Sequence, residues 1–264
     1  MKVVLLAGGL GTRISEESHL KPKPMIEIAG KPILWHIMKI FSYYGFNDFI
    51  ICAGYKQNVI KEWFRNYYLY NSDITFDFNQ GDERTIHNSE LEPWKVTIVD
   101  TGLYTATGAR IKRVASYIGD SSFFMTYGDG VADINLNKLL DFHRKSGKLA
   151  TLTAVLPESR YGVLGMEGDQ VTSFREKNYR DVGWINAGFM ILEPAVLDYI
   201  EGDVMFEREP LEQIAADGQL MAFKHRGFWQ CMDTLRDKEK LEALLTTGSA
   251  PWEMWNNTEN KPVY

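Results

Sequence analysis

The sequence predicts an α/β fold whose sheet is mostly parallel. Short β-branched apolar runs such as VVLLA and FIICA are typical of strands buried on both faces. Longer segments with helical spacing lie between these runs, and strands that alternate with helices favour parallel pairing through crossover connections. Together the two observations predict a Rossmann-like mixed sheet flanked by helices, with a smaller β-rich portion in the second half.

In about the first 150 residues, predicted strands alternate with predicted helices. Pro32 near the first turn and Gly45 at the end delimit the first helix, and Gly147 closes the last one. Residues 79–94 are polar and interrupted, so we expect a long excursion there. The predicted strands are KVVLLA, DFIICAG, ITFDF, KVTIVDTG and SSFFMTYGDG, and the predicted helices are KPILWHIMKIFSYYG, KQNVIKEWFRNYY, GARIKRVASYI and LNKLLDFHRKSG.

The second half is richer in predicted strands, and one pair is joined as a hairpin through EGDQ. No low-complexity linker or internal repeat divides the chain. We therefore expect a single domain over 1–264, with halves at about 1–150 and 151–247 and a tail at 248–264. The tail carries two tryptophans, for which packing within the chain and packing at an interface are both open. The predicted strands are ATLTAVLP, GVLGMEGDQVTSFREK and WINAGFMILEP, and the predicted helices are AVLDYI, PLEQIAADG and LRDKEKLEALL.

Composition narrows the classes of function. The formal net charge of −6 disfavours general attraction to nucleic acid, so an anionic ligand has to be met by local cations. No apolar run is long enough to span a bilayer, and the chain enters strand-like sequence at once, so we expect no membrane partner and a cytoplasmic location. Cys52 and Cys231 show no metal-ligand spacing, which indicates buried or incidental thiols in a reducing compartment.

A glycine loop follows the first predicted strand. Gly8, Gly9 and Gly11 allow the backbone to approach a ligand closely, often a phosphate. No Gly-Lys-Ser or Gly-Lys-Thr follows, which excludes a P-loop, and Ile14 stands at the third glycine position of a dinucleotide fingerprint. Arg13 adds a fork-shaped cation suited to phosphate oxygens. An ordinary tight turn is the alternative.

A lysine follows between two prolines. Pro22 and Pro24 restrict the backbone around Lys23, so its ammonium projects from a stiffened segment. A cation held in advance is useful where phosphate charge must be neutralised. A solvated lysine in a proline-rich loop is the alternative.

Two aspartates are candidate Mg²⁺ ligands. Asp129 lies between two glycines at the carboxyl end of a predicted strand, and magnesium in phosphate sites uses one or two carboxylates. A turn aspartate is the alternative, and Val131 two residues later means that no D-x-D pair is present. Asp233 ends another apparent strand, where it either caps the last helix or supplies the second carboxylate.

The motifs together resemble those of the sugar-1-phosphate nucleotidyltransferases, over residues 1 to about 247. Details of the later blocks favour the branch that uses CTP and glucose 1-phosphate. The same reaction with dTTP or UTP, and a non-catalytic sugar-nucleotide sensor on this scaffold, remain open. The motifs that carry the resemblance are LLAGGLGTR, KPKPMIEIAGKPILWH, YGDG, FREK, INAGF and GFWQCMDTLRDK.

The resemblance implies a reaction in which the sugar phosphate attacks the α-phosphorus of the nucleotide and expels pyrophosphate, with Mg²⁺ as cofactor and a homo-oligomeric enzyme. Cys231 departs from the pattern, since a proline is usual before MDT. A β-rich sugar-binding portion is implied for the second half. Implied roles are Arg13 and Lys23 in catalysis; Leu6, Ala7, Gly8, Gly9, Leu10, Gly11, Thr12, Thr105, Arg110 and Gly128 on the nucleotide; Glu176, Lys177 and Asn186 on the sugar phosphate; and Asp129 and Asp233 on Mg²⁺.

Overall fold

The computed structural model describes residues 1–79, 81, 83–89, 91–157, 163–167, 170–175 and 183–256, without the side chains of residues 13, 15, 16, 163–166, 174 and 175. The strands are β1 (Lys2–Ala7), β2 (Glu27–Ile28), β3 (Lys31–Pro32), β4 (Asp48–Ala53), β5 (Ser72–Asp77), β6 (Glu83–Ser89), β7 (Lys95–Asp100), β8 (Phe123–Tyr127), β9 (Gly130–Ala132), β10 (Ala150–Val155), β11 (Val163–Glu167), β12 (Gln170–Arg175), β13 (Ile185–Asn186), β14 (Met190–Leu192), β15 (Leu220–Lys224) and β16 (Trp229–Cys231). The α-helices are α1 (Ser15–Ser18), α2 (Ile33–Tyr43), α3 (Gln57–Arg65), α4 (Tyr67–Tyr70), α5 (Thr107–Arg113), α6 (Ala115–Ile118), α7 (Leu136–Ser146), α8 (Glu209–Ala216) and α9 (Leu235–Thr246).

One mixed sheet runs through the molecule in the order β7-β4-β1-β8-β14-β10-β15, and β13 pairs with the carboxyl end of β10. Neighbours from β7 to β8 are parallel, and β14 alone along this path is antiparallel to its neighbours. The strands of the second half thus extend the sheet begun by the first. The predicted fold class is confirmed.

Helices cover both faces of the sheet, as the apolar strands predict. Along β1, Val3, Leu5 and Ala7 contribute to one core while Val4 and Leu6 contribute to the other, because successive side chains point to opposite faces. Helices α2, α7 and α9 pack into the first core, and α5, α6 and α8 pack into the second. No helix among the described residues is both long and apolar enough to span a bilayer.

Some helices differ from the prediction. The helix predicted from KQNVIKEWFRNYY is interrupted at Asn66, whose φ of −98° and ψ of 4° end α3 before α4 begins. GARIKRVASYI is likewise interrupted at Val114. The segment predicted as a helix at AVLDYI is a 3-10 helix, Pro194–Tyr199, which suits its short length.

The predicted excursion contains a strand. β6 pairs antiparallel with β5, so the two form a hairpin separate from the main sheet instead of a further parallel strand. The β5–β6 hairpin exposes large apolar side chains, since Phe76, Phe78 and Ile86 keep 44%, 80% and 48% of their surface accessible. A hairpin of this kind is rarely stable alone.

The end of the described chain packs against the first core. Trp252 is fully buried, stacks on Phe228 and donates its indole N–H to His36 Nδ1 at 3.3 Å. His36 Nε2 donates in turn to the Ile28 carbonyl at 3.3 Å. Burial lowers the pKa of His36 to about 4, so the ring is neutral at pH 7. The tail tryptophans were expected to pack either within the chain or at an interface. Trp252 packs within the chain.

Candidate active site

A short antiparallel ladder brings the two predicted metal ligands together. β9 and β16 pair so that Gly130 lies opposite Cys231, and the Met232 amide donates to the Asp129 carbonyl at 2.8 Å. Asp129 immediately precedes β9 and Asp233 follows the end of β16 by two residues, so the two acids lie at the same end of the ladder although they are distant in the sequence. Their carboxylates are therefore positioned by backbone pairing, not by flexible loops.

The ammonium of Lys23 lies between the two carboxylates. Its Nζ is 2.5 Å from Asp129 Oδ2 and 2.6 Å from Asp233 Oδ1, and the residue is only 8% exposed. Burial by itself lowers the pKa of Lys23, but the charge of Asp129 and the hydrogen bonds to both carboxylates outweigh it and raise the pKa above its ordinary value. The ammonium therefore stays charged throughout the neutral pH range.

Local structure explains why Lys23 is held so firmly. A 3-10 turn begins at Lys23, and the Met25 amide donates to the Pro22 carbonyl at 2.7 Å. The glycine loop packs directly over it: Gly11 has a φ of +67°, and a Cβ there would lie 3.2 Å from the Cβ of Lys23. Glycine is therefore needed both for the backbone conformation and for the close approach.

Cys231 belongs to the same cluster. One ligand atom from each of Asp129, Cys231 and Asp233 lies within 4.8 Å of the others, and all three residues are half-buried. The sequence predicts only a buried or incidental thiol for this cysteine, because no other Cys or His stands at metal-ligand spacing from it. A usable signal was its position two residues before Asp233, since residues i and i+2 of an extended segment point the same way.

Arg110 has its guanidinium directed at the other end of the glycine loop. Arg110 is 4% exposed, and burial lowers its pKa without removing its charge. A Cβ on Gly8 would lie 2.1 Å from Arg110 Nη1, so the loop and the guanidinium fit only with glycine at this position. The guanidinium accordingly fixes the shape of the loop. It donates to the carbonyls of Gly8, Ala53, Gly102 and Leu103 and to the hydroxyl of Thr101, at 2.7–3.3 Å.

The remaining nucleotide candidates lie around this loop. Leu6 and Ala7 end β1, Gly9 and Leu10 are exposed, and Thr12 begins a 3-10 turn. Other predicted residues have these positions: the Gly128 amide donates to the Leu6 carbonyl at 3.0 Å, and the Thr105 hydroxyl accepts from Arg113 at 2.7 Å. The side chain of Arg13, and Glu176 and Lys177 altogether, lie outside the described residues.

Asn186 lies beside the end of β8. Its Nδ2 is 3.4 Å from the hydroxyl of Tyr127, which donates to Glu207 Oε1 at 2.7 Å. Burial and the adjacent Glu207 carboxylate raise the pKa of Tyr127 well above its usual value, so the hydroxyl keeps its proton. Neither residue was identified as a site residue from the sequence: Tyr127 begins the YGDG motif, in which only Gly128 and Asp129 were assigned roles, and no motif contains Glu207. Tyr127 and Glu207 connect Asn186 to the strand that leads to Asp129.

The last helix is capped by Thr234, not by Asp233. Thr234 accepts from the Asp237 amide, and Asp237 Oδ2 accepts from the amides of Thr234 and Asp233 at 2.9 and 3.2 Å. This capping box satisfies the first turn of α9. The helix-cap alternative for Asp233 is therefore wrong, and its carboxylate points to Lys23.

Known proteins are similar to this chain in sequence and in fold. The model of the Nucleotidyl transferase family matches residues 2–237 of this chain. The glucose-1-phosphate cytidylyltransferase of Salmonella typhi is 55% identical over 257 residues, which cover 97% of this chain and 100% of the relative. The probable glucose-1-phosphate cytidylyltransferase of Bacillus subtilis (strain 168) is 43% identical with the same coverage. Among solved structures, HddC from Yersinia pseudotuberculosis has a TM-score of 0.68 at 25% identity, covering 92% of this chain and 99% of that one.

Proposed function

The chain belongs to the nucleotidyl transferase family, and from this premise we propose that it transfers CMP from CTP to α-D-glucose 1-phosphate, giving CDP-glucose and pyrophosphate. The choice of CTP and glucose rests on the names of the relatives at 55% and 43% identity. The observation that carries the chemistry is the charged ammonium of Lys23 between Asp129 and Asp233. A buried ammonium of this kind suits a reaction between two phosphate groups, because their mutual repulsion has to be offset by positive charge.

The reaction needs charge neutralisation more than proton transfer. A phosphate monoester has a second pKa of about 6, so the sugar phosphate is largely a dianion at pH 7 and attacks without a general base. Its oxygen forms a bond to the α-phosphorus of CTP while the bond from that phosphorus to the pyrophosphate oxygen breaks. Two anions must therefore be held in line and their repulsion offset. We assign that work to Lys23 and Arg13.

The carboxylates of Asp129 and Asp233 fit a hard cation, because magnesium is held in phosphate sites by one or two carboxylates together with phosphate oxygens. Family members generally use a divalent metal, and we propose Mg²⁺ for this chain. When bound, it supplies positive charge at the phosphate oxygens. The two carboxylates are presented from the same end of the β9–β16 ladder, where Gly130 lies opposite Cys231, so their separation depends on the ladder's register.

We assign the nucleotide to the glycine loop from Leu6 to Thr12 with Thr105 and Gly128. Arg110 supports this loop through the Gly8 carbonyl, so its contribution to nucleotide binding is to keep the loop in shape. The sugar phosphate is assigned to Glu176, Lys177 and Asn186. The division of the chain into a nucleotide half and a sugar-phosphate half remains a prediction.

The test is pyrophosphate release from glucose 1-phosphate with CTP, dTTP, UTP, GTP and ATP in separate assays. We expect CTP to give the highest kcat/KM. A higher kcat/KM with dTTP or UTP would change the assigned nucleotide and keep the assigned type of reaction. Tight binding of CDP-glucose in calorimetry without turnover of any triphosphate would instead support a sensor and overturn the enzymatic proposal.

We also propose that the protein is a homo-oligomer assembled through the β5–β6 hairpin. The support is the exposed apolar surface of Phe76, Phe78 and Ile86, since contiguous exposed patches mark association surfaces. Phe78→Ser should shift the mass measured by light scattering to a smaller species, whereas Tyr117→Ser on the exposed side of α6 should not. An unchanged mass in Phe78→Ser would contradict this interface.

A cytoplasmic setting agrees with the state of the cysteines, and we propose it for this chain. Cys52 and Cys231 are both thiols outside any disulfide. Reduced thiols are usual in a reducing compartment.

A further inference from the structure

We propose that Cys231 is a third ligand of the divalent-cation site, so that this site also takes borderline cations such as Co²⁺ and Zn²⁺ through sulfur. The proposal rests on the proposed function only in treating Asp129 and Asp233 as the residues that hold a metal. It adds a residue that the resemblance did not place at the metal, and it names the class of cation that this residue selects.

The backbone places the thiol beside both carboxylates. Cys231 ends β16 opposite Gly130, which follows Asp129, and it stands two residues before Asp233. The three candidate ligand atoms lie within 4.8 Å of one another. Bonds of about 2.3 Å from zinc to sulfur and about 2.0–2.2 Å from zinc to carboxylate oxygen bring atoms with this spread within reach of one ion. The ion takes the place of the Lys23 ammonium, which has to move aside from its position between the two carboxylates. All three residues are half-buried, so an ion can enter from solvent.

The donor set predicts which cations benefit. Mg²⁺ prefers oxygen ligands and gains little from sulfur. Co²⁺ and Zn²⁺ accept thiolates, and when the metal–sulfur bond forms the thiol proton is released to solvent. The site with Cys231 should therefore bind Co²⁺ and Zn²⁺ more tightly than a site with carboxylates alone, and these cations should compete with Mg²⁺.

The chain provides its own control thiol. Cys52 lies in the second core, is fully buried and donates weakly to the Arg110 carbonyl at 3.9 Å. Burial raises the pKa of Cys52 to about 12, which leaves it a neutral thiol. Any metal–thiolate signal from the protein should consequently come from Cys231.

The experiment is a titration of the metal-free full-length protein with Co²⁺, followed by the thiolate-to-cobalt charge-transfer band in the near ultraviolet, which carboxylates do not produce. We expect the band in the wild type and in Cys52→Ala, and its loss in Cys231→Ser and Cys231→Ala. Co²⁺ affinity should fall at least about tenfold in Cys231→Ser, while Mg²⁺ affinity, measured by displacement, should change much less. Circular dichroism verifies that each variant is folded.

Three results would overturn the inference: no band in the wild type, a band that persists in Cys231→Ser, or a band that excess Mg²⁺ does not displace. The spectroscopic readout needs no nucleotide. Turnover of CTP without the band would therefore reject the role of Cys231 and keep the proposed function, whereas the band without turnover would do the reverse.

Discussion

Two buried cations lie at opposite ends of one glycine loop, and their surroundings differ. Arg110, 4% exposed, donates to four backbone carbonyls and one hydroxyl. Lys23, 8% exposed, contacts two carboxylates. The pKa of the first is lowered by burial, while the pKa of the second is raised by its anionic neighbours despite burial.

The partners of the two cations distinguish one that maintains structure from one that is able to act on a ligand. Carbonyl dipoles in a loop are permanent partners, and a planar guanidinium satisfies several of them at once. Carboxylates carry a full charge. A compact ammonium that binds them can be displaced by a metal ion, or can bind a phosphate instead. Each of the following variants tests one side of this contrast.

Lys23→Ala should show the largest effect. Removing a preorganised cation at a site of charge development typically costs on the order of 10²–10³ in rate. We expect kcat/KM for pyrophosphate release to fall by about that factor while circular dichroism stays unchanged. Lys21→Ala is the matched control, because Lys21 belongs to the same proline-rich segment, keeps 42% of its side chain exposed and pairs with Glu27. Equal activity of the two variants would remove Lys23 from the mechanism.

Arg110→Met should act mainly on stability. It removes the donor of the part-buried Gly102 carbonyl and leaves the buried Gly8 carbonyl with the Tyr55 amide alone, which costs roughly 1–3 kcal/mol of unfolding free energy. The KM for CTP should also rise in this variant, because the glycine loop loses the hydrogen bond from Arg110 to the Gly8 carbonyl. Arg113→Met is the control, since Arg113 is exposed and loses only its contacts to the Thr101 carbonyl and Thr105. Urea denaturation measures both, and a smaller loss in Arg110→Met would reverse the assignment.

His36 is a third buried nitrogen base, and unlike Lys23 and Arg110 it is neutral at pH 7. Its pKa is lowered to about 4, so between pH 6.5 and 4 the unfolded chain binds more protons than the folded one. The contribution of the neutral His36 ring to the free energy of unfolding is therefore fully present above pH 6.5 and is lost as the pH decreases. Lowering the pH from 7.5 to 5.5 should cost about 1.4 kcal/mol.

Replacing His36 by Gln should flatten this part of the pH profile, and replacing the exposed His87 should not. Because Trp252 donates to His36, tryptophan fluorescence together with urea unfolding reports the change. Equal slopes in the two variants would show that the neutral ring contributes nothing to acid sensitivity.

Local patterns predicted most of the fold. The alternation along β1 and β4 identifies strands buried on both faces, and glycines such as Gly45 and Gly147 end helices where the structure ends them. The β5–β6 hairpin was missed because residues 79–94 carry no apolar alternation; their strand pairs through the backbone. Interruptions at Asn66 and Val114 were missed because they depend on local backbone angles, not on periodicity.

Single residues of the site were predictable from their local sequence, as for Lys23 between two prolines and for residues that follow predicted strands. The rule that ligands gather at strand carboxyl ends identified the glycine loop and Asp129. The partnership of Asp233 with Lys23 depends on contact between segments far apart in sequence, which no local pattern encodes. The proximity of Cys231 to Asp129 likewise depends on long-range strand pairing, and only its i, i+2 spacing from Asp233 is local. The inward direction of Arg110 depends on burial and was equally invisible.

The β9–β16 ladder joins the middle of the chain to its last quarter. A ribosome that has released residues 1–200 has therefore produced most of the central sheet but no paired acids. The proposed cation site needs both acids, so it becomes available only once Asp233 has emerged and the strand before it has paired. Under this proposal, uptake of a divalent ion should report the completion of folding, and a chain terminated before Asp233 should not take it up.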